Sequence, residues 1–439
     1  MTNHAFLTDD GFQFRDNAGR WLFQAPFLFS SWKNTDEFID ALFRHSRVVW
    51  LVTKVISEGV SDFIRLWSDR YIVTAPQDED FYTVTRKSDG AKMIINSYSK
   101  LRDWGLLDYS PEEIERAIRK YQELLDMKFG YAKGVQGIFS LGNERVRIGG
   151  QDDSAFSIPP KTLDPFLPNV DDLYFFRDLT KEEKKKARLI AIDKNMAYPT
   201  ACSIKVGLGD YDHCEYGHAP FDHHSPSLLN AGIYNITLGK HLEKPIGFYG
   251  RHILMPSILP KIRFREGWYD ASVLRLLKDS GIPFRVHEAY IWRESSAVLD
   301  RWARKLREFA NSLGDDDKLC RKLIKQTANA TIGMFGHEGS RGKWYYRPDW
   351  RNAVISEHAC RIYRDLLYVA EMGLYPCAIY VDCLYFAVNE DDLPTFPFLV
   401  DEKLCKKYKQ AGIYDLRKAK KFFVNGRLDT GKLKGCVIG

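Results

Sequence analysis

No stretch of this sequence approaches the run of about 20 apolar residues that a membrane-spanning helix needs. A membrane partner is therefore not expected. The eight cysteines are scattered and contain no C-x-x-C pair, which fits reduced thiols rather than a disulfide framework. Met1 to Asp10 lacks the basic-then-apolar layout of a secretory signal, so the expected setting is cytoplasmic. Internal repeats and low-complexity segments are also missing. A large charge surplus is missing too, for 64 Lys/Arg stand against 58 Asp/Glu, a net charge of +6.

What is present is a chain of 439 residues with 14% aromatics, too long for one ordinary core and suited to two or three sub-domains. Its charge is unevenly placed. From Asp401 to Gly439 there are eleven Lys/Arg against four Asp/Glu, so this segment's surplus exceeds that of the whole chain. Tyr408, Tyr414, Phe422 and Phe423 are interleaved with the basic residues. Such a pattern suits a nucleic-acid backbone, and it equally describes a solvated basic face.

Periodicity predicts an amphipathic helix, a short apolar strand (Val48 to Val52) and a second helix between Asp36 and Trp67. Ser110 to Met127 reads as a helix capped by Ser110, with Pro111 in the first turn and Glu112 and Glu113 at its positive end. Leu141 to Pro168 is loop-rich and marks a boundary. Leu189 to Asp193 is a short strand ending in an acid. Ser296 to Leu313 and Lys318 to Phe335 read as two antiparallel helices joined by the polar turn 314–317. Ala378 to Val388 reads as a strand, and the last segment alternates basic and apolar residues like a sheet edge and loop.

Three segments carry chemistry together. The first is L-I-A-I-D-K-N-M-A-Y-P-T, with Asp193 ending a strand and Tyr198-Pro199 in the turn after it. The second is K-Q-T-A-N-A-T-I-G, which puts Lys325 and Asn329 on one helical face. The third is Y-V-D-C-L-Y-F, Tyr380 to Phe386. A strand sends residues i and i+2 to the same side, so Asp382 and position 384 are expected to look into the same space.

In order and spacing these segments resemble the three polymerase motifs of family-B DNA polymerases, D-x-x-S-L-Y-P-S, K-x-x-x-N-S-x-Y-G and Y-x-D-T-D-S. The similarity is closest to the protein-primed branch of phages and linear plasmids and covers nearly the whole chain. It implies an α/β (α+β) fold: an RNase-H-like exonuclease-type domain (1–140), a linker and template-contact region (141–188), a right-hand palm (189–290 and 338–439, the latter with the basic C-terminal segment) and two-helix fingers (291–337). The thumb would be missing or minimal.

By the same resemblance Asp193 and Asp382 would be catalytic and would hold Mg²⁺ or Mn²⁺, hard ions that take carboxylate oxygens in nucleotidyl transfer. Lys325 would neutralise the incoming triphosphate, Tyr198 would lie under the sugar, and Asn329 would support one of them. Gly149 and Gly150 match a Y-x-G-G template contact whose Tyr is Arg147 here. Lys421 in K-F-F, and Lys434 and Gly435 in L-K-G, would touch DNA. The implied partners are template-primer DNA, dNTP, and a priming or replication protein, in the cytoplasm of a bacterial host or a virus-infected cell.

The departures are as informative. Leu384 stands where the family has its second motif Asp. Ala330 and Ile332 replace a Ser and a Tyr in the second motif, and Met196-Ala197 replaces Ser-Leu in the first. In the N-terminal third no D-x-E occurs near the start. The family's H-N-x-x-F-D segment falls on Val55 to Val60, and its late Asp falls on Lys120. Two readings follow. One is a DNA-binding polymerase relative with impaired or lost polymerisation and no exonuclease. The other is an active minimal transferase using Asp193 and Asp382, with Glu390 a distant candidate for the missing acid. A protein-interaction module without nucleic acid is a third, opposed by the basic tail.

Residues 213–224 gather His213, Cys214, His218, His223 and His224. These are zinc-ligand types, but their spacing matches no standard zinc pattern, and a polar surface loop is expected.

Overall fold

The computed structural model describes strands at 3–8, 11–15, 21–25, 48–53, 71–74 and 81–96 with their adjoining turns, and single positions 109, 113, 116, 117, 120 and 121. It then describes 174–216, 230–238, 267–280, 284–341, 345–419, 423–424, 427–428, 433 and 437. The expected helices on either side of Val48, the loop-rich 141–168, Val55 to Val60, Arg147, Gly149, Gly150, Lys421, Lys434, Gly435, His218, His223 and His224 lie outside the described residues. The chain divides into two compact units, one of residues 1–144 with 308–330, the other of 145–307 with 331–439.

The first unit is built on a seven-stranded sheet. Its strands are β1 (Asn3–Thr8), β2 (Gly11–Arg15), β3 (Trp21–Ala25), β4 (Val48–Thr53), β5 (Tyr71–Thr74), β6 (Phe81–Arg86) and β7 (Lys92–Asn96), in the order β3-β2-β1-β4-β7-β6-β5. β1, β4 and β7 run parallel, and the flanking pairs are antiparallel. The unbroken apolar run of β4 suits a strand in the middle of such a sheet. Glu113, Arg116, Ala117, Lys120 and Tyr121 are helical, in keeping with the expected Ser110 helix. Lys120 pairs with Asp317 at 2.5 Å, and the Tyr121 hydroxyl bonds the Thr327 hydroxyl.

The second unit packs two antiparallel-rich sheets around helices. One sheet has the order β16-β9-β15-β14-β8, from β8 (Tyr174–Phe176), β9 (Arg188–Lys194), β14 (Ala378–Tyr380), β15 (Cys383–Val388) and β16 (Tyr408–Asp415). The other has the order β10-β13-β11-β12, from β10 (Val206–Glu215), β11 (Gly232–Leu238), β12 (Gly267–Asp270) and β13 (Phe284–Ser296). Its helices include α1 (Ala197–Ala201), α2 (Ala271–Asp279) and α5 (Pro348–Ala370), and α3 (Asp300–Ser312) and α4 (Lys318–Phe335) lie partly in it. α3 and α4 cross from one unit to the other in sequence. The bounds of α4 and the polar turn before it are as expected, and α3 starts four residues later than expected.

Two elements differ from expectation. Ala378 to Val388 is not the single strand its apolar pattern suggests but a hairpin reversing at Val381-Asp382, as the likeness of Tyr380 to Phe386 to a polymerase metal-binding hairpin implies. His213, Cys214 and Glu215 belong to β10 rather than to a loop. The basic final segment does form a sheet edge, as β16.

One apolar core joins both sheets. Ile190, Ile192, Leu384 and Phe386 come from the first, Tyr234, Ile236 and Val286 from the second, and Leu274, Leu277, Ile362, Tyr363 and Leu366 from α2 and α5. α5 opens with Pro348 at its first turn, where a missing N–H costs nothing. It is buried on nearly every side, as a central helix must be.

Arg347, one residue earlier, is buried with Asp349 (2.9 and 2.5 Å) and lies 4.0 Å over the Trp350 ring. The Gly207 carbonyl accepts from both Arg347 (2.5 Å) and Trp350 (2.8 Å). A Cβ on Gly207 would land in the Trp292 indole. Gly207→Ala is therefore expected to cost about 2–3 kcal/mol of stability, read as a lower urea midpoint.

Asp270 caps α2, accepting from the Ser272 N–H at 2.9 Å. Burial pushes its carboxyl up to about 6, against the pull of Ser272 and Arg275. Between about pH 4 and 6 the folded chain keeps a proton that the unfolded chain releases, so this group's contribution to stability falls as pH rises through that window. Asp270→Asn retains the cap without the titration. Its stability relative to the parent should rise by about 3 kcal/mol from pH 4 to pH 6.5 and then level off, in urea unfolding at stepped pH.

Candidate active site

β9 alternates cleanly. Ile190 and Ile192 face the shared core, while Leu189 and Ala191 face a smaller cluster with Tyr385, Ala387 and Leu416. Asp193 falls on the second side and Lys194 on the first. Across the sheet Asp193 stands opposite Cys383 of β15 and Lys409 of β16. Its carboxylate is 15% exposed, and Oδ2 lies 3.7 Å from the Lys409 ammonium.

Asp382 is the second residue of the hairpin turn, between the closing pair Tyr380 and Cys383. The Lys194 N–H donates to its carbonyl at 2.9 Å, which seats the turn on the end of β9. The two acids therefore occupy neighbouring strand ends. Leu384 does not look into their space. It pairs with Ile192 and is fully buried in the shared core. The period-two expectation fails because Asp382 belongs to a turn, where strand alternation does not apply. Cys383 takes the place beside Asp193.

The turn is strained and tied down. Val381 has a φ of 56°, in a region a β-branched side chain rarely enters. Its carbonyl lies 3.2 Å from His358 Nε2 on α5. The same imidazole meets the Tyr198 ring edge-on, at 5.2 Å between centroids. Tyr198 sits on α1, which Met196 enters in the left-handed conformation. Arg361 of α5 holds the end of α1, donating to the Thr200 carbonyl (2.7 Å) and Ser203 Oγ (2.8 Å) while paired with Glu357 (2.6 Å).

One turn further along α5, Asp365 accepts from Lys194 (2.9 Å), Tyr408 (2.8 Å) and Lys407 (2.6 Å). Burial alone would raise the Asp365 carboxyl, but Lys194, Lys407 and Tyr408 hold it below the usual range.

Asp193, Asp382 and Tyr198 are thus brought onto one end of the second unit. Lys325 and Asn329 lie one turn apart on α4, in the segment 308–330 that belongs to the first unit. Lys325 is half-buried and Asn329 exposed. Glu390 is not placed to join Asp193 and Asp382. It pairs with Arg188 at the opposite end of β9 (2.7 Å), five residues from Asp193 and so roughly 15 Å away. His213 pairs with Glu288 (2.7 Å) and stacks on Tyr290.

A two-metal centre needs several hard oxygen ligands converging on shared ions. Among the described residues no three His, Cys, Asp or Glu side chains are arranged to hold an ion. Position 384 supplies a core side chain, and an ammonium lies beside Asp193. The residues present do not fit a two-metal centre.

His358 and Arg361 were not singled out in the sequence. With Asp365 they repeat at three- and four-residue spacing along the helix, the spacing of one polar stripe. Replacing Val381 by Gly, which reaches positive φ without strain, is expected to raise stability by about 1 kcal/mol, measured by urea unfolding.

No protein-family model matches the sequence, and no curated protein matches it. Solved structures do. Phi29 DNA polymerase complexed with primer-template DNA is 13% identical with a TM-score of 0.51, over 94% of this chain and 84% of that one. Its ternary complex with incoming nucleotide substrates is 12% identical at 0.51, with the same coverage. An orthorhombic crystal form is 11% identical at 0.50, over 94% and 85%. No helix among the described residues is long and apolar enough to cross a membrane. The fold of this chain is that of a family-B DNA polymerase, in the form seen in the Phi29 enzyme.

Proposed function

We propose that this chain is a DNA-binding relative of family-B polymerases whose nucleotidyl transfer is impaired or lost, acting in replication of a phage or mobile element. The observation that carries the reading is the end of β9. Asp193 ends β9 and Asp382 lies in the turn seated on that end, but the position that would supply a further carboxylate faces the core, and Lys409 lies beside Asp193. Losing a carboxylate from a reaction governed by electrostatic stabilisation costs several kcal/mol of barrier, or a few orders of magnitude in rate.

DNA as the partner is supported by the fold, whose solved examples hold primer-template DNA, and by the exposed Lys403, Lys406, Lys407 and Lys409 leading into the edge strand. In this reading residues 189–290 and 338–439 serve as palm and 291–337 as fingers. Lys325 and Asn329 face a nucleotide, and Gly149, Gly150, Lys421, Lys434 and Gly435 contact DNA. A priming or replication protein is the expected further partner.

Residues 1–140 are read as an exonuclease-like domain without exonuclease activity. Its mixed sheet, with β1, β4 and β7 parallel, suits an RNase-H-like origin. β1 carries no acid, and Lys120 is engaged with Asp317 rather than standing as a metal-binding carboxylate.

The test is nucleotide incorporation by the purified chain on primed DNA, bare template and no template, with Mg²⁺ or Mn²⁺, beside Asp193→Ala. DNA binding is followed by anisotropy in the same samples. Expected are incorporation at the level of the Asp193→Ala control, no 3′–5′ excision, and binding that weakens steeply as salt rises. Robust extension that disappears in Asp193→Ala would establish an active minimal transferase instead. Absence of DNA binding at low salt would leave an interaction module.

A further inference from the structure

We infer that Lys409 is a built-in counter-cation for Asp193, occupying with its ammonium the side of the carboxylate that a divalent ion would otherwise share. The inference rests on the reading of Asp193 and Asp382 as the remains of a polymerase centre, and it concerns what that centre now binds.

Register supports it first. β16 pairs with β9 so that Lys409 is the direct cross-strand neighbour of Asp193, the placement at which opposite charges on a sheet interact. The neighbouring network fixes that register. Lys407 and Tyr408 are both bonded to Asp365, and Lys194 is bonded to Asp365 from the β9 side. The Asn195 N–H also donates to the Lys407 carbonyl at 2.8 Å. β16 therefore cannot slide to take Lys409 away from Asp193 without breaking buried bonds.

Distance supports it next. The ammonium lies 3.7 Å from Oδ2, and an incoming divalent ion would meet a positive charge within a few ångström. Lys409 is itself 55% exposed, so the pair is weak as a stabilising contact. Its effect is on what else can approach. A double charge facing a single one at such range in aqueous surroundings is opposed by enough to cost about tenfold in affinity.

The test is Mn²⁺ binding to the full chain, followed by electron paramagnetic resonance in the absence of nucleotide and DNA. The parent is compared with Lys409→Gln, Lys409→Arg, Asp193→Asn and Lys409→Gln/Asp193→Asn. Thermal melts verify that each variant is folded. Lys409→Gln should bind Mn²⁺ about tenfold more tightly than the parent, Lys409→Arg should match the parent, and the gain should vanish when Asp193→Asn is added. Equal affinity of Lys409→Gln and the parent, or a gain that survives Asp193→Asn, would overturn the inference. The incorporation assay decides the proposed function separately, because an active parent could show either Mn²⁺ result.

Discussion

The buried ion pair between Lys194 and Asp365 is the constraint on which the candidate site depends. Lys194 is the residue after Asp193, and strand alternation sends it into the core, where an unpaired ammonium would be costly. Asp365 meets it from α5, and Tyr408 and Lys407 complete the shell. Three elements that are far apart in sequence, β9, α5 and the start of β16, are thereby locked at one point. Removing one partner of such a pair strands the other in a low-dielectric interior, which is far more damaging than never having had the pair. The charge that faces outward at Asp193 is held in place by the charge that faces inward beside it.

The same helix organises the rest. α5 presents His358, Arg361 and Asp365 along one stripe, and each reaches a different element: the hairpin turn and α1, the end of α1, and β9 with β16. The apolar residues Ile362, Tyr363, Leu366 and Val369 of α5 belong to the core that joins the two sheets. Packing and site geometry are therefore not separable here, since any shift of α5 in the core moves three supports of the site together.

Much of this was legible in the sequence, and the failures have physical causes. The apolar run before Asp193 reads correctly as a strand because strands buried on both faces are continuous and short. The polar turn at 314–317 places the start of α4 to the residue. The hairpin was recognisable only as a motif, because C-A-I-Y-V-D-C-L-Y-F-A-V contains no Gly or Asn to announce a reversal, and Val381 turns with a backbone angle its side chain disfavours. That missed turn is also why position 384 was expected beside Asp382. The spacing of His358 and Arg361 marks a stripe but not its partners, because the Val381 and Thr200 groups they reach are backbone carbonyls, which leave no trace in residue type. Membership of 308–330 in the first unit depends on contacts remote in sequence and has no local signal.

The burial of Leu384 decides which side chains position 384 accepts. On the core side of β15, flanked by Ile192 and Ile379 in the pairing, the site rewards an aliphatic side chain and would strand a carboxylate without water or a partner. Leu384→Asp would therefore meet a folding penalty before it could confer any chemistry. Bringing position 384 to the face of Asp193 would need the hairpin to shift its pairing by one residue, which would turn Cys383, Tyr385 and Phe386 to the opposite faces at once. No single substitution at position 384 therefore places a carboxylate beside Asp193.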